Sequence, residues 1–185
     1  MKTFKISLII ASLLCISEAT AQTYYYNTSN TFNETGYTYR CNTQSWDFGR
    51  VTLSNTNNIY TDADYVYKDG RAFNEMDVMN GIVDLIEDDD WTKQKCMSIV
   101  DNAFSAEEKT RVRGKKFDVS MTIDPATGKV IEVDFRFLKN GPFATIPVTT
   151  YRKIEENLKS QVWFTLTPTG KQLKFVQRGW MHEVE

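Results

Sequence analysis

Apolar and polar residues alternate most regularly between positions 117 and 138. Two runs there have the period of two that is typical of strands with one apolar and one mostly polar face. The apolar positions are Phe117, Val119, Met121 and Ile123, then Ile131, Val133, Phe135 and Phe137. Between the runs, Pro125 fixes φ and Gly128 can adopt the positive φ that closes a turn. The pattern predicts a β-hairpin that needs a covering element, because an isolated hairpin is barely stable.

A period near 3.6 residues predicts helices before this hairpin. In residues 74–90, an apolar stripe is expected to face the core, and it comprises Met76, Met79, Ile82, Val83 and Ile86. A second helix is predicted at 91–103, with Trp91 turned inward. Ser105 and Glu108 have the spacing of a capping box, which predicts the start of a short third helix.

After the hairpin, a helix at 146–159 is expected to cover the apolar face, since Pro147 suits the first turn of a helix. Strands are predicted at 161–165 and 171–180. Residues 74–185 are therefore expected to contain two helices and then a unit with the order ββαββ.

Residues 22–73 have a different composition, with eight of the nine tyrosines and a group of seven asparagines. Tyr and Thr favour pleated, half-buried surface, whereas Asn and Gly favour turns. After a flexible start at 23–33, short strands are predicted at 37–41, 50–54, 58–61 and 64–67. The predicted fold class is α+β, with a small antiparallel β-meander preceding the α+β domain of residues 74–185.

Residues 1–21 have the features of a secretory signal peptide. Lys2 and Lys5 supply its positive charge, and the apolar stretch that follows is too short to span a bilayer. The small-residue pattern predicts cleavage between Ala21 and Gln22. A lipoprotein signal at Cys15 is disfavoured because a large residue precedes that cysteine. We therefore expect an exported protein, periplasmic or extracellular, without a transmembrane segment in its mature chain.

Charge and cysteine content narrow the classes of partner and cofactor. The formal net charge of −2 gives no support for a nucleic-acid partner, which needs a basic patch. In an oxidising compartment, Cys41 and Cys96 are candidates for a disulfide, and two separate buried thiols are the alternative. Two distant cysteines and a single histidine are a poor basis for a metal site, and no cofactor is predicted.

Signals of catalysis are weak. The one histidine, His182, is the fourth residue counted from the end, where fraying is expected. A triad would need it beside a nucleophile and a carboxylate. The acidic run 87–90 lacks the ligand spacing of a calcium loop and is interpreted as a solvated helix end. The sequence therefore favours a protein that is not an enzyme, with a hydrolase as the less favoured alternative.

The order of elements in residues 90–180 resembles the C-terminal domain of TonB-type energy transducers. The matching positions are residues 117–123, Gly128-Lys129-Val130, Val133, Ile154, Leu158, Trp163, Gly170-Lys171 and Phe175. Those transducers keep a membrane anchor and a long Pro-rich spacer, whereas this chain has a predicted cleavable signal and four prolines. The resemblance therefore implies a scaffold with an exposed final strand, and no force transmission. The whole chain is also similar to small exported proteins of gut Bacteroides, which implies no activity.

Two binding hypotheses follow. The first is an interaction module that binds a protein or peptide by strand addition, at an edge formed by Lys171, Leu173, Phe175 and Gln177. The alternative is a glycan or cell-wall binding protein, because aromatic faces stack on sugar rings. Its candidate residues lie in the Tyr/Asn-rich region and are Tyr37, Tyr39, Tyr65 and Tyr67.

Overall fold

The computed structural model describes residues 23–34, 36–43, 49–87 and 90–185. Within these ranges the strands are β1 (Asn30–Glu34), β2 (Tyr37–Thr43), β3 (Arg50–Asn55), β4 (Lys116–Ile123), β5 (Val130–Leu138) and β6 (Val176–Glu183). The α-helices are α1 (Glu75–Met79), α2 (Asp90–Asp101), α3 (Ala106–Val112) and α4 (Val148–Gln161). Short 3₁₀ helices occur at Pro142–Thr145 and Gly170–Gln172. The strands form one antiparallel sheet in the order β1-β2-β3-β5-β4-β6.

The predicted hairpin is confirmed as β4 and β5, which pair side by side in the interior of the sheet. Its turn closes through the Gly128 N–H, which donates to the Asp124 carbonyl over 2.8 Å while Gly128 has a φ of 72°. Helix α4 covers the apolar face as predicted. Its buried Tyr151 ring lies 4.9 Å from that of Phe135 and 5.3 Å from that of Phe137.

Residues 22–73 and residues 74–185 contribute strands to the same sheet, because β3 pairs with β5. Val51 lies opposite Phe137 and Leu53 lies opposite Phe135, and all four are buried. The segment 23–33 was predicted to be flexible, but it contains a buried residue, Tyr26, and the start of β1. The Tyr26 hydroxyl donates to the Ile146 carbonyl over 3.0 Å. One hydrophobic core therefore combines residues from both regions.

The second face of the hairpin is not exposed as the alternation predicted. Glu132 accepts hydrogen bonds from the N–H groups of Ile59 (2.7 Å) and Tyr60 (3.0 Å), and the Asn58 amide donates to the Val133 carbonyl. The strands predicted at 58–61 and 64–67 are wrong, because this part of the chain crosses the polar face with only isolated bridges at Val66 and Tyr67. Glu132 and Asp134 are consequently buried.

The helix predicted at 74–90 ends at Met79. Gly81 has a φ of 68°, and the N–H groups of Ile82 and Val83 both donate to the Asp77 carbonyl, so the chain turns back. The predicted stripe therefore does not enter the core as a unit: Met76, Met79 and Ile82 are 51%, 76% and 70% exposed. Val83 and Ile86 alone pack against the core.

The order ββαββ predicted for the C-terminal part is not confirmed. Residues 161–165 form no strand of the sheet, and only isolated bridges join Trp163 to Lys129 and Leu166 to Ile86. The final strand starts at Val176 rather than at position 171, because the preceding residues form the 3₁₀ turn at Gly170–Gln172. The general class, a mixed fold with helices and an antiparallel sheet, is confirmed, whereas the TonB-like arrangement is not confirmed.

The structure does not join Cys41 and Cys96, the two cysteines of the predicted disulfide. Cys41 is buried on β2 and its thiol approaches the Thr28 carbonyl at 3.6 Å, whereas Cys96 is buried on α2, which packs against α4. The two cysteines therefore occupy different parts of the core. The predicted signal peptide and the cleavage site at Ala21 and Gln22 lie outside the described residues. In the part of the chain that is described, no helix has the length and apolar character needed to cross a bilayer.

Candidate functional site

Strand β6 forms one edge of the sheet. It pairs with β4 along its whole length in a continuous register, from Val176 opposite Ile123 to Glu183 opposite Lys116. Among the described strands, none pairs with its other side. In an antiparallel ladder, alternate residues of an edge strand direct their N–H and C=O groups away from the neighbour.

Gln177 shows which residues of β6 face outward. Its N–H donates to the Tyr65 hydroxyl over 2.9 Å, and that hydroxyl lies 3.4 Å from its carbonyl oxygen. The side chain of Gln177 donates to the Tyr60 carbonyl over 2.8 Å. Tyr65 therefore closes this end of the edge, and by alternation Gly179, Met181 and Glu183 direct their main-chain groups to the open side.

The open edge runs from Arg178 to Glu183, and it differs from the predicted edge. Of the four residues predicted, only Gln177 belongs to β6. Lys171 lies in the 3₁₀ turn, and Leu173 and Phe175 are buried. The open edge contains no proline and no bulge, and Met181 is 65% exposed at its centre. Most sheet edges are protected by such irregularities or by charges, and here the exposed charges are confined to the two ends, Arg178 and Glu183.

The C-terminal end of β6 is held in place, so the expected fraying of His182 is wrong. His182 is fully buried, and its Nδ1 accepts a hydrogen bond from the Trp180 indole over 3.2 Å. Because an indole can only donate, the neutral imidazole carries its proton on Nε2, 3.0 Å from Asp101 Oδ1. The Glu185 N–H also donates to that oxygen. Both ring nitrogens of His182 therefore make hydrogen bonds within the fold, and neither is paired with a nucleophile.

The four candidate glycan-binding tyrosines do not form an exposed row. Tyr39 is buried against Glu155, and burial together with that carboxylate raises its pKa well above the usual range. The Tyr65 hydroxyl is engaged by β6, and burial raises its pKa to about 12. Tyr37 lies under the Arg152 guanidinium, and Tyr67 packs against Phe73. The exposed tyrosines of this region are instead Tyr24, Tyr25 and Tyr37, of which only Tyr37 is one of the four candidates.

A pair of exposed tryptophans was missed by the sequence analysis. Trp91, predicted to point inward, is 43% exposed, and Trp163 is 56% exposed. Their ring centroids lie 4.8 Å apart with the planes inclined by 54°. The two positions are far apart in the sequence, so no local pattern could have paired them.

The polar face of the sheet contains a buried carboxyl group, that of Asp134. It lies in register between Ser54 and Ser120 on the neighbouring strands. Burial raises its pKa to about 7, and Arg136, whose Nε lies 3.7 Å from Oδ1, opposes that rise. This carboxyl can hold a proton near neutral pH. Within the described ranges, no three His, Cys, Asp or Glu side chains converge to hold a metal ion.

Comparison with known proteins places this architecture in a family. The sequence matches the family described as "Domain of unknown function (DUF5043)" over residues 22–180. The fold is similar to the crystal structure, at 1.85 Å resolution, of a DUF5043 family protein from Bacteroides uniformis ATCC 8492. The match has a TM-score of 0.78 and 33% sequence identity, and covers 88% of this chain and 89% of that one. No curated protein matches. This chain therefore belongs to the DUF5043 family.

Proposed function

We propose that the protein is an exported binding module that accepts an extended segment of a partner protein or peptide as an additional strand along β6. The observation that carries this proposal is the open edge from Arg178 to Glu183, where Gly179, Met181 and Glu183 present main-chain groups to solvent. Strand addition draws its affinity from such main-chain hydrogen bonds, and the alternating side chains supply specificity.

The side chains beside the open edge suit a partner with apolar residues at alternate positions. Met181 is exposed on the polar face, while Trp180 is half-buried against the core on the opposite face. Gly179 adds no side chain, and a Cβ there would lie 3.3 Å from the Ser120 hydroxyl. A partner strand at this edge would therefore have Met181 beside it on one face and Trp180 on the other. At Gly179 its backbone could approach β6 closely.

The experiment pans a library of extended hexapeptides against the protein and compares two substitutions at one position. Met181→Pro removes an outward N–H that plays no part in the ladder with β4, and proline is tolerated on edge strands. Met181→Thr is the matched control, because it keeps the N–H and favours a strand. Thermal unfolding of both variants checks that the sheet is intact.

We expect selected peptides to bind the protein and the Met181→Thr variant alike, and the Met181→Pro variant at least roughly tenfold more weakly. Binding should also slow hydrogen exchange of the amides of Gly179, Met181 and Glu183. Failure to select any peptide would overturn the proposal, and so would equal binding by a folded Met181→Pro variant.

Export is the second part of this proposal, and it is supported by the charged, apolar and small-residue pattern of residues 1–21. Cell fractionation followed by N-terminal sequencing tests it. The expected product begins at Gln22 and lies outside the cytoplasm. An intact N-terminus in the cytoplasmic fraction would rule it out.

A further inference from the structure

The tryptophan pair, Trp91 and Trp163, lies on the surface, on a helix and on a hydrogen-bonded bridge. Trp163 lies in an isolated antiparallel bridge with Lys129, and the next residue, Phe164, donates its N–H to the Gly128 carbonyl over 2.8 Å. Trp91 occupies the first turn of α2. Near the pair, the Glu87 N–H donates to the Thr165 carbonyl over 2.9 Å. The two rings are therefore positioned before any ligand binds.

The exposed area of the pair is too small for a protein partner. With 43% and 56% exposure, the two residues together leave about as much surface open as one whole tryptophan, roughly 250 Å². A stable protein interface buries about 800 Å² on each side. Ile82 is another exposed apolar residue in this part of the chain. It lies on the far side of the bridge between Ile86 and Leu166, away from the tryptophan pair. The area therefore suits a small ligand with a flat apolar face.

Polar side chains surround the pair and offer both donors and acceptors. Lys129 is exposed and stands directly opposite Trp163 in the bridge. Asp90, also exposed, precedes Trp91, and Thr165 is exposed two residues after Trp163. Because an ammonium, a carboxylate and a hydroxyl all lie near the pair, the surroundings favour neither an anion nor a cation. They match a neutral ligand with many hydroxyl groups.

We propose that Trp91 and Trp163 form a carbohydrate-binding platform. The C–H face of a pyranose ring packs on one or both indoles. Hydroxyl groups at the edge of the sugar ring form hydrogen bonds with Lys129, Asp90 and Thr165. Ligand sites commonly combine aromatic side chains with a few polar groups that fix the orientation of the ligand. This platform shares no residue with the β6 edge, so either function can fail without the other.

The test is isothermal titration of the full chain with five hexasaccharides: cellohexaose, chitohexaose, mannohexaose, xylohexaose and maltohexaose. The variants are Trp91→Ala, Trp163→Ala and Trp163→Tyr, the last of which keeps a flat ring. Tyr24→Ala is the control for loss of an exposed aromatic residue, because Tyr24 is 40% exposed, close to the value for Trp91. Circular dichroism confirms that each variant is folded.

We expect at least one hexasaccharide to bind, with a blue shift of the indole fluorescence. Each Trp→Ala substitution should weaken this binding roughly tenfold or more, while Trp163→Tyr should retain most of it and Tyr24→Ala all of it. The proposal is overturned if no hexasaccharide binds at about 5 mM, or if binding survives in both Trp→Ala variants. Sedimentation that shows a dimer lost in those variants would also overturn it, because a second copy would then cover the platform.

Discussion

The Tyr39 hydroxyl on β2 donates a hydrogen bond to Oε2 of Glu155 on α4. Both residues are fully buried, so the bond joins the N-terminal strands to the C-terminal helix inside the core. Arg152 lies 3.3 Å from the same carboxylate, and the amide of Asn55 and the ammonium of Lys159 each lie 3.4 Å from Oε1. A buried carboxylate is tolerated only when it is paired and hydrogen-bonded in this way.

Removing the Tyr39 hydroxyl should destabilise the protein. In Tyr39→Phe, Glu155 loses a buried donor, and leaving a buried group partly unsatisfied costs about 1–3 kcal/mol. Urea unfolding of the two proteins measures the difference. Tyr24→Phe, which removes an exposed hydroxyl, should change the free energy of unfolding by less than about 0.5 kcal/mol. Equal stability of Tyr39→Phe and the unmodified protein would contradict the role assigned to this bond.

Gly128 should not tolerate a side chain. Its φ is 72°, and an added Cβ would collide with the backbone carbonyl of Phe164. Gly36 has a similar φ of 80° but open space around it, so Gly36→Ala isolates the cost of conformation, about 1–2 kcal/mol. We expect Gly128→Ala to lower the melting temperature clearly more than Gly36→Ala does. Similar melting temperatures would mean that the segment after α4 does not pack closely on the hairpin turn.

Asp134 should make stability fall as pH rises. Burial raises its pKa from an ordinary value of 3.8 to about 7, while Arg136 acts against that rise. Between about pH 4 and pH 7 the folded protein therefore keeps a proton that the unfolded chain has released, and the free energy of unfolding decreases with pH. The slope from this group is at most roughly 1.4 kcal/mol per pH unit, and it vanishes below the unfolded pKa and above the folded one.

Asp134→Asn checks this prediction, because the amide does not titrate. Urea unfolding at several values of pH should show that the unmodified protein loses stability relative to the variant across that window, and that the difference is constant outside it. A difference that stays constant from pH 4 to pH 8 would mean that Asp134 titrates normally.

Cys41 should behave as a buried thiol rather than as half of a disulfide. Burial raises its pKa to about 11, so little thiolate exists at neutral pH. We expect iodoacetamide to leave Cys41 unmodified in the native protein and to alkylate it in urea without any reductant, as read by peptide mass spectrometry. If alkylation of unfolded Cys41 required a reductant, a disulfide would be present.

Local signals in the sequence account for the elements that were predicted well. The β4–β5 hairpin follows from alternation and from a turn whose proline and glycine lie a few residues apart. The capping box is also local: Ser105 accepts from the Glu108 N–H, and Glu108 accepts from the Ser105 N–H. The length of helix α1 was overestimated, because five apolar residues at helical spacing favoured a longer helix and Gly81, which ends it, was given too little weight.

The sequence by itself determined the α+β class, the β4–β5 hairpin, the helix that covers it and the start of α3, since periodicity, capping and turn chemistry act within a few residues. Tertiary structure alone decided which faces are covered and which edges remain open. Glu132 is buried because a distant segment supplies its N–H donors, Gln177 is closed off by Tyr65, and Trp91 meets Trp163 on the surface. Each of these relations joins residues more than 70 positions apart, and their energies depend on packing that no local pattern encodes.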